Sequence, residues 1–420
     1  MRTNSMPLRG DDIRERNEKI VLRFIRDSLN TGSSQSEVVQ KTGLKAPTVF
    51  RIYTRLENLG LIEPVLSKGE ASEKIERKGR RPTAYRIKPN ALYMIGLDFW
   101  AESLTMGVFD LCGEALLSET KALDQSLTAV QVTDLIAEQI TAAIRRLKIK
   151  REKILGVGVG APGQVNVITR EVSFYSRIKD MTAFPIAAEL EALLKLPVTL
   201  SNNCAVLALA ECRYSLRQPQ NSLFMFLLRA GVNGAFIIGD SIFTTARATT
   251  IESGHIAIQA DGPRCPCGSK GCLEALLTEL HDRQTSQRDW LFSGLLPADV
   301  PSASAAGTGV PVSIDSARAA APSRSSVAET PSAKLILDQA ASYLAAALRT
   351  VARLYNPHTV LFVAESLNLA EAVGQRVHSL NRDYASHFDA EQAAIYAQAY
   401  DPVLAQRGAA ELVLDVFFNG

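Results

Sequence analysis

The sequence of 420 residues has no apolar run near the ~20 residues that a membrane-spanning helix needs. Its opening, Met1–Gly10, lacks the apolar core of a secretory signal. Together these absences give the expectation of a cytoplasmic protein with no membrane partner. Cysteine is scarce: there are six, and three of them fall within eight positions, between Cys265 and Cys272. So few thiols, so clustered, do not make a disulfide framework. Strong net charge is also missing, at +2 overall, but the balance is uneven. Residues 1–90 carry 19 Lys and Arg against 11 Asp and Glu, or +8; residues 91–420 carry 27 against 33, or −6. A small basic region ahead of a larger acidic one points to nucleic acid at the amino end. No internal repeat is evident, and the length calls for two or three domains.

The chain is organised around residues 252–274. Glu252-Ser253-Gly254-His255 is followed, nine residues on, by Cys265-Pro266-Cys267-Gly268-Ser269-Lys270-Gly271-Cys272-Leu273-Glu274. Three thiols and one imidazole at this spacing can close a tetrahedral shell of the kind structural zinc takes, with His255, Cys265, Cys267 and Cys272 as ligands. Gly268 and Gly271 permit the tight reversal this needs. The alternative is three free cysteines in a loop. The same residues resemble the signature of the ROK family, which groups sugar-responsive repressors with sugar kinases. That resemblance implies an actin-like, ribonuclease-H-like α/β fold of two lobes.

Ahead of it, residues 12–28 carry apolar side chains at helical spacing. Ser34 and Glu37 form a capping box that opens a short helix ending at Gly43, and a third helix runs from Ala46 to Asn58 with Pro47 in its first turn. This pattern predicts a helix-turn-helix. Lys45, Thr48, Arg51 and Tyr53 are its candidate groove-facing residues, with Val49, Ile52 and Leu56 inward. Lys45 stands where Ser or Thr usually caps, so capping is poor. A strand from Leu61 to Val65 and another at Tyr85-Arg86-Ile87 frame a long wing carrying Lys78-Gly79-Arg80-Arg81-Pro82. Arg80 and Arg81 on such an arm suit a narrow minor groove, and ROK repressors resemble the chain in having a Gly-Arg-x-Pro element here.

In the large region, Ala91–Asp98 and Leu104–Asp110 predict an opening hairpin, Ala129–Leu147 a helix, and Ile154–Gly163 a strand with a Gly-rich turn. Several departures from the kinases of the family follow from the resemblance. Their Asp-Gly-Gly-Thr is Asp98-Phe99-Trp100-Ala101 here, so large aromatics stand where phosphate needs bare backbone. The general-base Asp corresponds to Asn203, and an amide cannot take a proton at neutral pH. Val232 replaces the hydroxyl of a second phosphate loop, Arg229–Ala235. Gly163, Asn202, Asn203, Glu252, His255 and Glu274 are the implied effector contacts, and no ATP is expected. Residues 284–332, rich in Ser, Ala, Pro and Gly, predict a disordered or loosely ordered insertion, within which the resemblance implies a short helix around Trp290–Leu295.

The expected architecture is a winged helix-turn-helix over 1–90, a first lobe over 91–205 and a second over 206–420. The expected function is a DNA-binding regulator, of repressor type and not an enzyme, gated by a sugar or sugar derivative. Its partners would be a double-stranded operator and a second copy of itself in a homodimer, or a tetramer. The alternatives are an active sugar kinase retaining a DNA-binding head, and a constitutive DNA-binding protein with a vestigial pocket.

Overall fold

The computed structural model describes residues 10–28, 32–65, 83–216, 221–245, 249, 251–283, 291–292, 312–314, 331–384 and 393–419. The amino-terminal helices are α1 (Gly10–Asp27), α2 (Gln35–Thr42) and α3 (Ala46–Asn58). Ser34 caps α2 by accepting from the Glu37 amide, while the Glu37 carboxylate accepts from the Ser34 amide at 2.7 Å. Gly43, at φ 71°, ends that helix in the left-handed region. α3 starts without a side-chain cap at Lys45, as its sequence implied. Val49, Ile52, Tyr53 and Leu56 are buried against Val21, Leu22, Ile25 and Val38. Tyr53 therefore faces inward, its hydroxyl donating to the Ser33 carbonyl, and is not a groove residue. A strand at Ile62–Pro64 pairs antiparallel with Ala84–Ile87, and Ser33–Ser34 adds a third, unforeseen strand.

The first lobe is a five-stranded sheet in the order 198–202, 154–161, 93–99, 103–110, 115–122. The strand Tyr93–Phe99 runs antiparallel to Ser103–Asp110 and parallel to Ile154–Ala161. On one face lie α4 (Ala129–Arg146) and α5 (Ile186–Leu194). α6 (Asn203–Ala210) runs straight into one π-helical turn, Glu211–Ser215. The second lobe carries α7 (Leu273–Asp282), α8 (Pro331–Tyr355) and α9 (Leu367–Tyr384) around strands 222–228, 232–238, 359–364 and 394–399.

Two expectations about organisation change. The last helix, α10 (Pro402–Asn419), packs on strands of the first lobe through Ala410, Val413 and Leu414, and shares a core with second-lobe strands through Leu404, Ala405 and Leu412. A Cβ on Gly158 would collide with the Ala409 carbonyl, and one on Gly96 with that of Gln406. The glycines of the Gly-rich strand thus admit α10, which is close packing. Within 284–332, Leu291, Phe292 and Ile314 are buried in the second core, and Val312–Ser313 pairs with the strand Ala394–Ala399. Most of the remaining insertion, including the expected helix near Trp290, lies outside the described residues.

Candidate functional site

Between the lobes is a polar cleft of about 340 Å³, at the small end of the ~300–1,000 Å³ usual for ligand sites. One wall is the cysteine loop. The loop doubles back because Gly268 and Gly271 take φ 93° and 64°, and the Cys265 amide donates to Ser269 at 2.9 Å. A side chain at Gly271 would meet the Gln259 carbonyl, so glycine is obligatory there. The result gathers His255, Cys265, Cys267 and Cys272, whose donor atoms all lie within 4.8 Å of one another. Cys265 Sγ is 3.5 Å from His255 Nδ1, and Cys267 Sγ is 3.7 Å from Cys272 Sγ. A tetrahedral shell with Zn–S near 2.3 Å has edges of about 3.7 Å, so this donor set fits a metal ion. Burial pushes the Cys265 thiol up to about 12 and raises Cys272 as well. The Ser269 amide lowers Cys267 instead, so it is the Cys265 and Cys272 thiolates that a cation's charge would favour.

His255 links this cluster to the cleft. Its Nδ1 faces the thiols, while its Nε2 lies 3.9 Å from a Glu252 oxygen. A metal on Nδ1 would leave the Nε2 proton aimed at a carboxylate, which fixes tautomer and ring orientation. Glu274 starts the first turn of α7, with an oxygen 3.8 Å from His255 Nδ1. Gly231 leaves room for this carboxylate, since a side chain there would strike Glu274 Oε1. Burial, and then the neighbouring Glu274, push Glu252 up to about 7. Burial also raises Glu274, despite the opposing charges of His255 and Arg177.

Gly163, Glu252, His255 and Glu274 line the cleft together. Asn202 and Asn203 sit behind it, because both are spent on starting α6. Asn202 caps the helix by accepting from the Cys204 amide at 2.8 Å, and its amide nitrogen donates to the Gly163 carbonyl. Asn203 also accepts from the Cys204 amide. Its Nδ2 is buried without a hydrogen-bond partner. The cleft also contains residues not foreseen: Phe174, Tyr175 and Arg177, the last paired with Glu102. Nothing in the local sequence marks them: Phe174 ends a strand of a three-stranded sheet, 164–166, 171–174 and 182–184, and Tyr175 and Arg177 follow in the connection to its next strand.

The neighbouring part of the cleft, where the kinases of the resemblance hold phosphate, is filled by side chains. Phe99 is buried in the first-lobe core, whereas Trp100 reaches across. The Arg229 guanidinium stacks on the Tyr400 ring at 3.7 Å, lies 5.1 Å from the Trp100 ring, and donates to Glu365 at 3.0 Å. Trp100 Nε1 and the Tyr400 hydroxyl both donate to one oxygen of Asp98, at 3.0 and 2.9 Å. Burial pushes that carboxyl up to about 6.

The model of the ROK family matches residues 94–416. The chain belongs to the ROK family. It is 23% identical over 287 residues to the xylose repressor of Bacillus spizizenii, covering 68% of this chain and 72% of that protein. It is 31% identical over 180 residues to a glucokinase of Streptomyces coelicolor, but over only 43% of this chain and 54% of the kinase. A crystal structure of a ROK family transcriptional regulator, a homologue of the E. coli MLC protein, superimposes with TM-score 0.70 at 18% identity. It covers 97% of this chain and all of that one, so the likeness of fold includes the amino-terminal helices.

In this ROK chain the helical head is anchored to the body by charge. Arg26 of α1 donates to Glu411 of α10 at 2.6 Å, and Arg213 donates to Glu411 at 2.6 Å and to Asp415. Tyr214 donates to Glu411 as well, and Arg23 reaches Asp240. Burial alone would raise Glu411; the two guanidiniums and the phenol more than offset it and hold the carboxyl below its ordinary range. Of the expected DNA contacts, Lys45 and Arg51 are exposed, and Thr48 is half-buried in a groove between α1 and α3 beside Arg14 and Arg55. Arg80 and Arg81 lie outside the described residues.

Proposed function

We propose that this protein is a transcriptional regulator, of repressor type, whose DNA-binding head is gated by a sugar or sugar derivative held in the interlobe cleft. The observation that carries the reading is the contrast within that cleft. The side lined by Glu252, His255 and Glu274 is open and polar, while the adjoining side is occupied by Trp100, Arg229 and Tyr400. Paired carboxylates suit hydroxyl donors of a sugar, and Trp100, Arg229 and Tyr400 stand together on the side where the family's kinases are expected to hold nucleotide phosphate. With Asn203 in place of a carboxylate base, binding without phosphoryl transfer is the chemistry these residues support, and the protein is not an enzyme. Zinc held by His255, Cys265, Cys267 and Cys272 would serve as a structural ion that fixes the cysteine loop and the His255 ring. The repressor names among relatives support the same reading.

Communication with the head has a physical route. α6 starts at the cleft with Asn202 and Asn203 and ends in the π-helical turn bearing Arg213 and Tyr214, which hold Glu411 and, through it, Arg26 of the head. A side chain at Gly408 would strike the Val206 carbonyl, so α6 and α10 move as neighbours without slack. An effector that binds one arrangement of the lobes better than the other would bias the head through this contact. A homodimer would present two recognition helices to a two-fold operator.

The test is a thermal-shift screen of the zinc-loaded full chain against sugars, sugar phosphates and amino sugars, with and without ATP. Stabilisation by one sugar class, indifferent to ATP, is expected, because a ligand bound only to the native state raises apparent stability. Stabilisation by ATP, or hexose phosphorylation in a coupled assay, overturns the reading in favour of a kinase with a DNA-binding head. No stabilisation by any sugar favours a vestigial pocket.

A further inference from the structure

α3 has two faces of different chemistry. Val49, Ile52, Tyr53 and Leu56 are inside, and Pro47, Phe50, Arg51 and Thr54 are on the outside. Among these outward residues Phe50 stands apart, a large apolar ring left 59% exposed. It lies one turn beyond Ala46 on the same side of the helix, next to Arg51 and in the half of α3 that begins at the exposed Lys45. Thr54, one turn further on, has its hydroxyl turned back to the Phe50 carbonyl at 3.1 Å, so it offers the surface mainly its methyl group. The surroundings are basic, with Lys41, Lys45 and Arg51 all exposed. An exposed apolar ring inside a cationic rim matches a surface that is anionic at its edges and has apolar points within. The DNA major groove is such a surface: phosphates border it, and the thymine methyl is its apolar feature.

We infer that Phe50 reads thymine, by packing its ring on the 5-methyl group of a thymine in each operator half-site. The inference rests on the DNA-binding reading above and adds the residue that sets a base preference at one position. Lys45 and Arg51 supply affinity and register beside it. Phe50 gains burial only when the helix enters the groove, which is why it is left in water in the free protein. A ring that touches the methyl discriminates thymine from uracil, a difference of one methyl group that leaves the hydrogen-bonding edge unchanged.

The experiment first enriches a duplex from a randomised library with the full-length wild-type protein, then replaces its thymines one at a time with deoxyuridine. At one thymine per half-site the wild type should bind about fourfold more weakly after replacement, equivalent to the ~0.8 kcal/mol of a buried methyl. Phe50→Ala should bind the thymine and uracil duplexes equally, with its Tm unchanged because the ring is exposed. Phe50→Leu should keep part of the difference. Equal discrimination by wild type and Phe50→Ala, or a wild type indifferent to every methyl, overturns the inference while leaving the regulator reading standing. A Phe50→Ala variant that loses its oligomeric state in sedimentation assigns the ring to a subunit contact and also overturns it. Failure to enrich any duplex overturns the DNA-binding reading itself.

Discussion

Two neighbouring regions of one cleft have been treated in opposite ways. On the side of the cysteine loop, Glu252, His255 and Glu274 converge around open space, with burial raising both carboxyls. On the other side, Trp100 and Tyr400 both donate to one oxygen of Asp98, while Arg229 lies against the Tyr400 ring and donates to Glu365. The first presents its polar groups to open space; the second sets aromatic rings, a guanidinium and two carboxyls against one another. On the reading proposed above, a fold shared with kinases keeps recognition and loses transfer without a change of topology, because the two subsites draw on different strands and loops.

The largest effect that would break this contrast concerns the metal cluster. Cys272→Ala should abolish zinc uptake and lower the stability of the full chain by several kcal/mol, and with it the Tm, a fraction of the ~10–16 kcal/mol that structural zinc can supply. Metal analysis and calorimetry read it, and an unchanged Tm with sugar binding intact would show that the loop does not frame the open side. Next in size, Arg229→Ala removes a buried guanidinium stacked between two rings, and should cost about 3 kcal/mol by denaturant unfolding. A loss near zero would mean that the filled side contributes nothing to holding the lobes together.

Asp98 sharpens the comparison through pH. Its folded value, near 6, lies above the ordinary 3.8, so the folded state keeps a proton that the unfolded chain releases. Its contribution to stability is therefore fully present below pH ~4 and is lost as pH rises through 6. Asp98→Asn retains an acceptor for Trp100 and Tyr400, and should stabilise the protein on the order of 2 kcal/mol above pH 6, with no gain below pH 4. Unfolding curves at several pH values decide it, and a gain independent of pH would contradict the assignment. The smallest effect lies on the open side: Glu252→Gln should weaken effector binding by about tenfold, the ~1.4 kcal/mol of a charged hydrogen bond made neutral. Titration calorimetry with the sugar found by screening measures this.

Much of the local structure was legible because its causes are local. Ser34 and Glu37 announce a helix start three residues apart, and the spacing of Cys265, Cys267 and Cys272 around two glycines predisposes one loop to close on itself. Asn202 and Asn203 were legible only in part. Their likeness to sugar-contacting residues is a matter of position, while the competing demand for a cap on α6 decides where their side chains point. Tyr53 went inward because its ring completes the head core against Tyr85 at 5.1 Å, a contact made across 32 positions that helical periodicity does not weigh.

By itself the sequence determined the helical head, its charge and the loop that gathers His255 with three cysteines, since each depends on residue type and short spacing. Only the tertiary structure decided that Trp100, Arg229 and Tyr400 meet over Asp98, that Phe174 and Arg177 reach the open cleft, and that α10 returns to the first lobe to hold Arg26 of the head. Those contacts join residues hundreds of positions apart, and what selects them is the burial of sheets and the neutralisation of charge in the folded chain, which no window of sequence contains.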